Sequence, residues 1–217
     1  MSFFRALRSP WIAALMLAGL SGCAWLPQSD TTGALRASGT LYLTAEGGRL
    51  ETCEGAVYPV RVDASMRSLF EQVAAPNQTL AFVDLRGDLL ADNTLRPHTV
   101  LRMGARGNGC ADTLARQSQW IAVGERPEWL LRIAERGLQM TTLGDTWQPV
   151  VTEQLPEGAR GFRSLEGEPV ELWLYPQPCF TVLDGHYYSH RAQLLTAGQS
   201  YAGCAYPGLL AADQPPR

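Results

Sequence analysis

The sequence contains no lysine, and all 18 of its basic residues are arginines, set against 21 acidic residues. The arginines are scattered, and no basic run marks a surface for nucleic acid. The chain also lacks a CxxC pair, a GxSxG nucleophile elbow and the GKS or GKT ending of a phosphate-binding loop. These absences disfavour a zinc site, an α/β-hydrolase and a P-loop nucleotidase. We therefore expect no nucleic-acid partner, no cofactor and no enzymatic activity.

No apolar run reaches the roughly twenty residues that a bilayer-spanning helix needs. The most apolar run, Trp11–Leu20, follows two arginines and precedes small residues, an order typical of a secretory signal peptide. Its end, Leu20-Ser21-Gly22-Cys23, resembles the lipobox of bacterial lipoproteins. That resemblance implies cleavage after residues 1–22 and lipid attachment at Cys23, which would anchor the protein to a membrane. The alternative is an ordinary signal peptide with an incidental cysteine.

The chain left after this cleavage has 195 residues and a formal charge of −5, from 16 arginines and 21 acidic residues. Residues 23–38 are mostly small and polar, and we expect them to form a tether. Ala24 follows the anchor where enterobacterial-type lipoproteins retained in the inner membrane carry aspartate. By resemblance to that rule, we expect an outer-membrane protein that faces the periplasm.

Four cysteines remain besides Cys23, and an even number in an exported chain predicts two disulfides. Three pairings are open. If the chain forms two domains, local pairing is favoured, namely Cys53 with Cys110 and Cys179 with Cys204. A zinc site is the competing interpretation, but no paired cysteine and histidine spacing supports it.

The first predicted domain, residues 39–112, is a small β domain with one helix. The β-prone runs at 40–44 and 50–53 flank a Gly-Gly turn and predict a hairpin. Asp63 is a plausible N-cap, and apolar residues at helical spacing follow it, which predicts a helix over 64–74. Further strands are predicted at 57–62, 79–87 and 99–103.

The second predicted domain, residues 113–208, is richer in short β-prone runs. Seven such runs, separated by turn residues, favour a small barrel or sandwich. The tail, residues 209–217, is polar and Pro-rich, and we expect it to be loose. The sequence therefore predicts a mainly β protein with one helix in its first domain, built from two disulfide-stapled, barrel-like or sandwich-like domains.

Two segments of the second domain resemble an uncharacterised group of two-domain proteobacterial lipoproteins. They are Gly124-Glu125-Arg126-Pro127-Glu128-Trp129 and the region from Pro178-Cys179 to Gly203-Cys204-Ala205. Members of that group have a GNEPFW-like opening, a C-x-D-x-M-S-G-like segment and a closing GCA, and are distantly similar to NlpE and META-domain lipoproteins. The resemblance covers residues 38–207. It implies a two-domain architecture and a location in the bacterial envelope. The shared residues are fold-making types, which implies scaffold roles for Trp129, Cys179, Gly185, Tyr188 and Cys204.

His186 and His190 are the weak candidates for a metal site. Their spacing would place both on one face of a strand, and copper would be the most natural metal for two imidazoles. The adjacent Asp184-Gly185 is a turn signal, so a solvated turn is favoured and no metal is predicted.

The aromatic residues offer a candidate binding surface. We expect most of them to be core or girdle residues of a small barrel. A minority could line an apolar pocket or a partner-binding patch. The candidates for that surface are Trp129, Trp173, Tyr187 and Tyr188.

The favoured function is a non-enzymatic binding or interaction module of the bacterial envelope. Its partners would be the membrane, through Cys23, and a periplasmic protein or a small apolar ligand. The alternative is a sensor of envelope stress or metal, or an inhibitor of a periplasmic enzyme. An envelope hydrolase is the least favoured hypothesis.

Overall fold

The computed structural model describes residues 31–141, 144 and 146–210. The predicted signal peptide, the anchor Cys23 and residues 211–217 of the predicted tail lie outside the described residues. The described chain is mainly β, with two sheets and two disulfides, which confirms the predicted fold class. The bridges join Cys53 to Cys110 and Cys179 to Cys204, which is the local pairing.

The first half of the chain supplies five strands and the longer of two helices. In chain order these are β1 (Thr31–Leu43), β2 (Gly48–Thr52), β3 (Val57–Val60), α1 (Ala64–Val73), β4 (Leu80–Leu90) and β5 (Leu95–Gly104). Their pairings close a ring in the order β1-β2-β3-β5-β4, and β4 pairs again with β1. A five-stranded ring of this order with a helix between β3 and β4 has the topology of an OB-fold barrel.

Helix α1 forms where the sequence predicts it. Its N-terminus is capped by Asp63, whose Oδ1 accepts a hydrogen bond of 2.8 Å from the backbone N–H of Met66. Met66, Phe70 and Val73 lie on one face and are buried in the core of the ring. The helix thus packs against the barrel through the apolar stripe that its sequence displays.

A 3₁₀ turn, Gly107–Ala111, and a short helix α2, Thr113–Arg116, connect the two sheets. The predicted boundary between residues 112 and 113 falls at the N-cap of α2, where Asp112 accepts a hydrogen bond from the Ala115 backbone N–H.

The rest of the described chain supplies eleven strands. They are β6 (Trp120–Glu125), β7 (Glu128–Ala134), β8 (Gly137–Met140), β9 (Trp147–Gln148), β10 (Val150–Gln154), β11 (Arg160–Ser164), β12 (Val170–Tyr175), β13 (Cys179–Phe180), β14 (Tyr187–Tyr188), β15 (His190–Thr196) and β16 (Gln199–Pro207). Nine of them form one antiparallel sheet in the order β10-β11-β12-β15-β16-β6-β7-β8-β9. Its two end strands, β9 and β10, are separated in sequence by Pro149 alone, so the sheet curls into a nearly closed barrel.

The remaining two strands, β13 and β14, do not join the second sheet. They form a hairpin that pairs with β5 of the first sheet, where Tyr187 lies opposite Met103 and Tyr188 opposite Arg102. A segment late in the chain therefore completes the sheet that the early chain begins.

Several details differ from the sequence-based predictions, and strand β5 begins at Leu95, four residues before its predicted start at 99. Residues 31–38, assigned to the tether, lie in β1, because their backbone pairs with residues 84–90 of β4. The strand β4 runs three residues beyond its predicted end at 87. Strand β11 was not predicted, since arginines and glycine interrupt its apolar pattern.

Candidate functional site

Several residues that carry the lipoprotein resemblance pack against one another and have structural roles. The Trp129 ring lies against Gly124 of β6 and Gly203 of β16, and a Cβ at either glycine would overlap the indole. Cys204, next to Gly203, is bonded to Cys179. Trp129 is only 3% exposed. The two glycines are needed there because no side chain fits beneath the indole.

The burial of Trp129 and Tyr188 corrects their assignment to a binding surface. Tyr188 is buried and stacks on Tyr206, with ring centroids 5.2 Å apart. Trp173 and Tyr187 are partly exposed. The Trp173 indole donates a hydrogen bond of 3.0 Å to Glu171 Oε1, and the Tyr187 ring lies edge-on to Phe180 at 5.4 Å. Of the four predicted aromatics, Tyr187 is the one that lines the cavity described below.

The two candidate histidines have different surroundings. The Nδ1 of His186 lies 3.0 Å from Asp184 Oδ2, within the loop that precedes β14. His190 begins β15, with its Nδ1 2.9 Å from Ser189 Oγ and its ring 4.8 Å from that of Trp120. In the part of the chain that the structure describes, no group of three or more His, Cys, Asp or Glu residues is arranged to hold a metal ion.

A buried polar junction connects the two sheets through Arg102 of β5. Its Nη1 donates a hydrogen bond of 2.6 Å to Asp112 Oδ2, and the Tyr206 hydroxyl donates to the same oxygen at 2.9 Å. The guanidinium also lies over the rings of Phe82 and Tyr206, at 4.7 and 4.4 Å. These contacts compensate the charges of a buried cation and a buried carboxylate, although the Nε of Arg102 has no hydrogen-bond partner among the described residues.

Burial and the charge of Arg102 shift the pKa values of the other residues in the junction. Burial raises the pKa of Tyr188 to about 12 and raises that of Tyr206 as well. Burial alone would raise the pKa of Asp112, but the hydrogen bonds from Arg102 and from the Ala115 backbone outweigh it and lower that pKa. Asp112 is therefore a carboxylate, and both tyrosines are neutral, across the physiological pH range.

A second buried pair joins Arg36 of β1 to Asp84 of β4. Two guanidinium nitrogens donate to the two carboxylate oxygens at 3.0 and 2.7 Å. The same guanidinium donates to the carbonyl oxygens of Pro207 and Gly208, at 2.7 and 2.8 Å. Neither junction was predicted from sequence, because single arginines and aspartates far apart in the chain give no local signal.

The most exposed apolar feature among the described residues is the loop that connects β13 and β14. We call residues 180–183 the apolar loop. Val182 and Leu183 are 74% and 75% exposed, and Phe180 is also exposed. Large aliphatic side chains this exposed, next to one another, are typical of an interaction site.

The apolar loop is held in one conformation from several sides. The two oxygens of the Glu125 carboxylate accept hydrogen bonds from the backbone N–H groups of Val182 and Leu183, at 2.7 and 2.9 Å. The Thr181 hydroxyl hydrogen-bonds to Asp184, and the Cys179–Cys204 bridge fixes the base of the hairpin. The residue pattern gave one signal for this, since Asp184-Gly185 predicts a turn.

A cavity of about 660 Å³ lies at the seam between the two sheets, and we call it the seam cleft. Strand β5 leaves room for it, because β3 meets β5 only at Leu95 and β14 pairs with β5 from Arg102 onward. The residues of the seam cleft used below are Arg86, His98, Trp120, Arg160, Tyr187 and His190. Sequence reasoning missed this cavity, because its walls come from both sheets.

Comparison of the chain with protein-family models, with curated proteins and with solved structures finds no match. In the described residues, neither helix has the length and apolar character needed to cross a membrane.

Proposed function

We propose that this protein is a lipid-anchored, non-enzymatic interaction module of the bacterial envelope that binds a partner protein through its apolar loop. The observation that carries the proposal is the exposure of Val182 and Leu183 on a loop that is fixed at both ends. Leaving adjacent aliphatic side chains in water is unfavourable by roughly 25 cal/mol for each Å² of apolar surface. Binding to an apolar cleft on a partner would recover that free energy.

The charges around the loop favour a protein over a lipid surface. Asp184 follows the loop directly, and the Glu125 carboxylate lies against its backbone. An anionic bilayer surface attracts segments rich in lysine and arginine and repels carboxylates. The expected occupant is therefore an apolar cleft with neutral or basic residues at its rim.

The rigidity of the loop favours one of the alternatives, inhibition of a periplasmic enzyme. Binding by a flexible loop costs about 0.5–1.5 kcal/mol for each side chain that becomes ordered. The Glu125 hydrogen bonds and the Cys179–Cys204 bridge fix this loop before a partner arrives. A braced, protruding loop of this kind is suited to enter an active-site cleft and stay there.

The non-enzymatic part of the proposal is supported by the roles of the buried titratable groups. Asp112, Tyr188 and Tyr206 have shifted pKa values, as catalytic groups often do. Each of them packs against Arg102 or its neighbours in the junction between the sheets, where they serve packing and charge compensation.

The location of the protein rests on the lipobox resemblance. Cys23 would carry the lipid, and the first described residue, Thr31, is eight residues later. Eight extended residues span at most about 28 Å. The folded part would therefore stay close to the outer membrane, on its periplasmic side, and its partner would be a protein that reaches that membrane.

Site-specific photocrosslinking tests the proposal in intact cells, with Cys23 unchanged. A photoreactive residue at position 183 is expected to give a reproducible crosslinked protein, whereas one at Gln199, an exposed position at the start of β16, is not. The double substitution Val182→Asp and Leu183→Asp should abolish co-purification of that protein and leave the thermal unfolding midpoint unchanged. Crosslinks only to lipid, or co-purification that survives the double substitution, would contradict the proposal.

A further inference from the structure

The described wall of the seam cleft combines basic and aromatic groups and includes no acidic residue. Arg160, Arg86 and two histidines contribute to it, together with Trp120 and Tyr187. Of the two histidines, His98 lies 3.4 Å from Asp88, and His190 is discussed below. The chain as a whole carries more acidic than basic residues. The charge of Arg160 would attract an anion into this cavity, because low-dielectric walls strengthen the field of a charge that lines them.

Arg160 is the residue that would contact an anion most directly. Its guanidinium carbon lies 5.7 Å from the centre of the Trp120 ring, which holds the side chain against the wall. The carboxylates that form ion pairs in the described part of the chain engage four other arginines, which are Arg36, Arg96, Arg102 and Arg163. The hydrogen-bond donors of the Arg160 guanidinium are therefore available to a molecule bound in the seam cleft.

His190 and Ser189 add neutral polar atoms beside Arg160. The contact between His190 Nδ1 and Ser189 Oγ orients the imidazole, and the Trp120 ring packs against it at 4.8 Å. Burial, aided by the charge of Arg160, lowers the pKa of His190 to about 4, so the ring is neutral at physiological pH. A neutral imidazole, a hydroxyl and a guanidinium around one space can hydrogen-bond the oxygens of a single anion.

We propose that the seam cleft binds a small organic oxyanion, a carboxylate or a phosphate ester, through Arg160, with its apolar part against Trp120 and Tyr187. The cavity volume, about 660 Å³, is within the range of pockets that hold small molecules. Arginine suits carboxylates and phosphates because its planar fork can donate two parallel hydrogen bonds. This site is separate from the apolar loop, and the proposal does not depend on the proposed function.

Calorimetric titration of the purified chain with phenyl phosphate and with benzoate tests the inference and separates the two anion types. At least one of them is expected to bind saturably, with a shift of the Trp120 indole N–H signal in NMR spectra. Arg160→Gln should weaken binding by tenfold or more, and Arg160→Lys should weaken it less. Arg163→Gln is the matched control on the same strand: Arg163 is 56% exposed and paired with Glu171, and its loss should leave binding unchanged.

Two results would overturn the inference: no saturable binding of either anion, or equal binding by the Arg160→Gln and Arg163→Gln variants. The double variant Val182→Asp, Leu183→Asp separates this proposal from the previous one. It should bind the anion as the unmodified chain does, even though it is expected to lose the partner protein.

Discussion

Burial of His190 makes the stability of this protein depend on pH between about 4 and 6.5. The folded-state pKa of His190 is about 4, against an ordinary value of 6.5. Between those two values the unfolded chain binds a proton at this residue and the folded chain does not. Stability therefore falls as the pH falls from about 6.5 toward 4. Its surroundings are basic or neutral: Arg160, Arg86 and His98 line the same cleft.

The size of the effect follows from the two pKa values. At pH 5 the unfolded histidine is almost fully protonated, while the folded one is about nine-tenths neutral. Linkage then gives a loss of about 2 kcal/mol between pH 7 and pH 5. Asp112 also has a shifted pKa, but its pKa is lowered, so its contribution is present above about pH 4 and is lost only as the pH falls through the lower folded value.

Urea unfolding at pH 7 and pH 5, with the disulfides intact, measures this loss. The His190→Gln variant is the matched comparison, because it keeps the other two histidines and every carboxylate. We expect the free energy of unfolding of the variant to change by about 2 kcal/mol less between the two pH values than that of the unmodified chain. The comparison uses only the change in the free energy of unfolding between the two pH values, so a variant that is less stable at both pH values still tests the prediction. Equal losses in the two proteins would refute the reasoning.

Three further predictions concern the bridges, the buried ion pair and the anchor. Replacing Cys179 and Cys204 together by serine removes a 25-residue closure and should lower the free energy of unfolding by about 3 kcal/mol in urea titrations; a change below about 1 kcal/mol would contradict the loop-entropy argument. Asp84→Asn leaves the Arg36 guanidinium buried without its carboxylate and should lower the free energy of unfolding by about 3–5 kcal/mol in the same assay. A loss below about 1 kcal/mol, as for an exposed ion pair, would contradict the burial of this pair. Cys23→Ser should abolish incorporation of labelled palmitate and move the protein from the membrane to the soluble fraction; retention in the membrane would remove the lipobox interpretation.

Local sequence patterns were sufficient for many of the individual elements. Asp63 and the apolar residues after it specify α1, and Ala197-Gly198 lies at the turn of the final hairpin. These elements are determined by residues within about ten positions of one another, so capping, periodicity and turn chemistry report them. The local pairing of the cysteines followed from the expectation of two compact bodies.

The same local patterns could not predict which strands far apart in the sequence pair with one another. Nothing near residues 179–188 indicates that this hairpin adds to a sheet that begins at Thr31. Its strands have two residues each, too few to show an alternation. Strand β1 likewise begins in a polar stretch that reads as a tether, and becomes a strand only because β4 offers a partner. Such pairings depend on the tertiary context and not on local propensity.

The residues of the candidate site were likewise predictable from sequence only in part. Exposure of Val182 and Leu183 could not be read from sequence, since apolar residues beside a turn are as often buried. Trp129 was named both as a scaffold residue and as a surface candidate, and its packing on Gly124 and Gly203 supports the first role. The seam cleft needs two sheets to be placed side by side, which no single segment encodes.

The carbonyl contacts of Arg36 have a consequence for how the chain is assembled. A chain made from its N-terminus contains Arg36 and Asp84 long before Pro207 and Gly208, which complete the shell around the guanidinium. Until then, the Arg36 guanidinium has its ion pair with Asp84, and water takes the place of the two carbonyl acceptors. The hydrogen-bond shell of Arg36 is therefore completed by the last strand of the described chain, after every other strand of both sheets has been made.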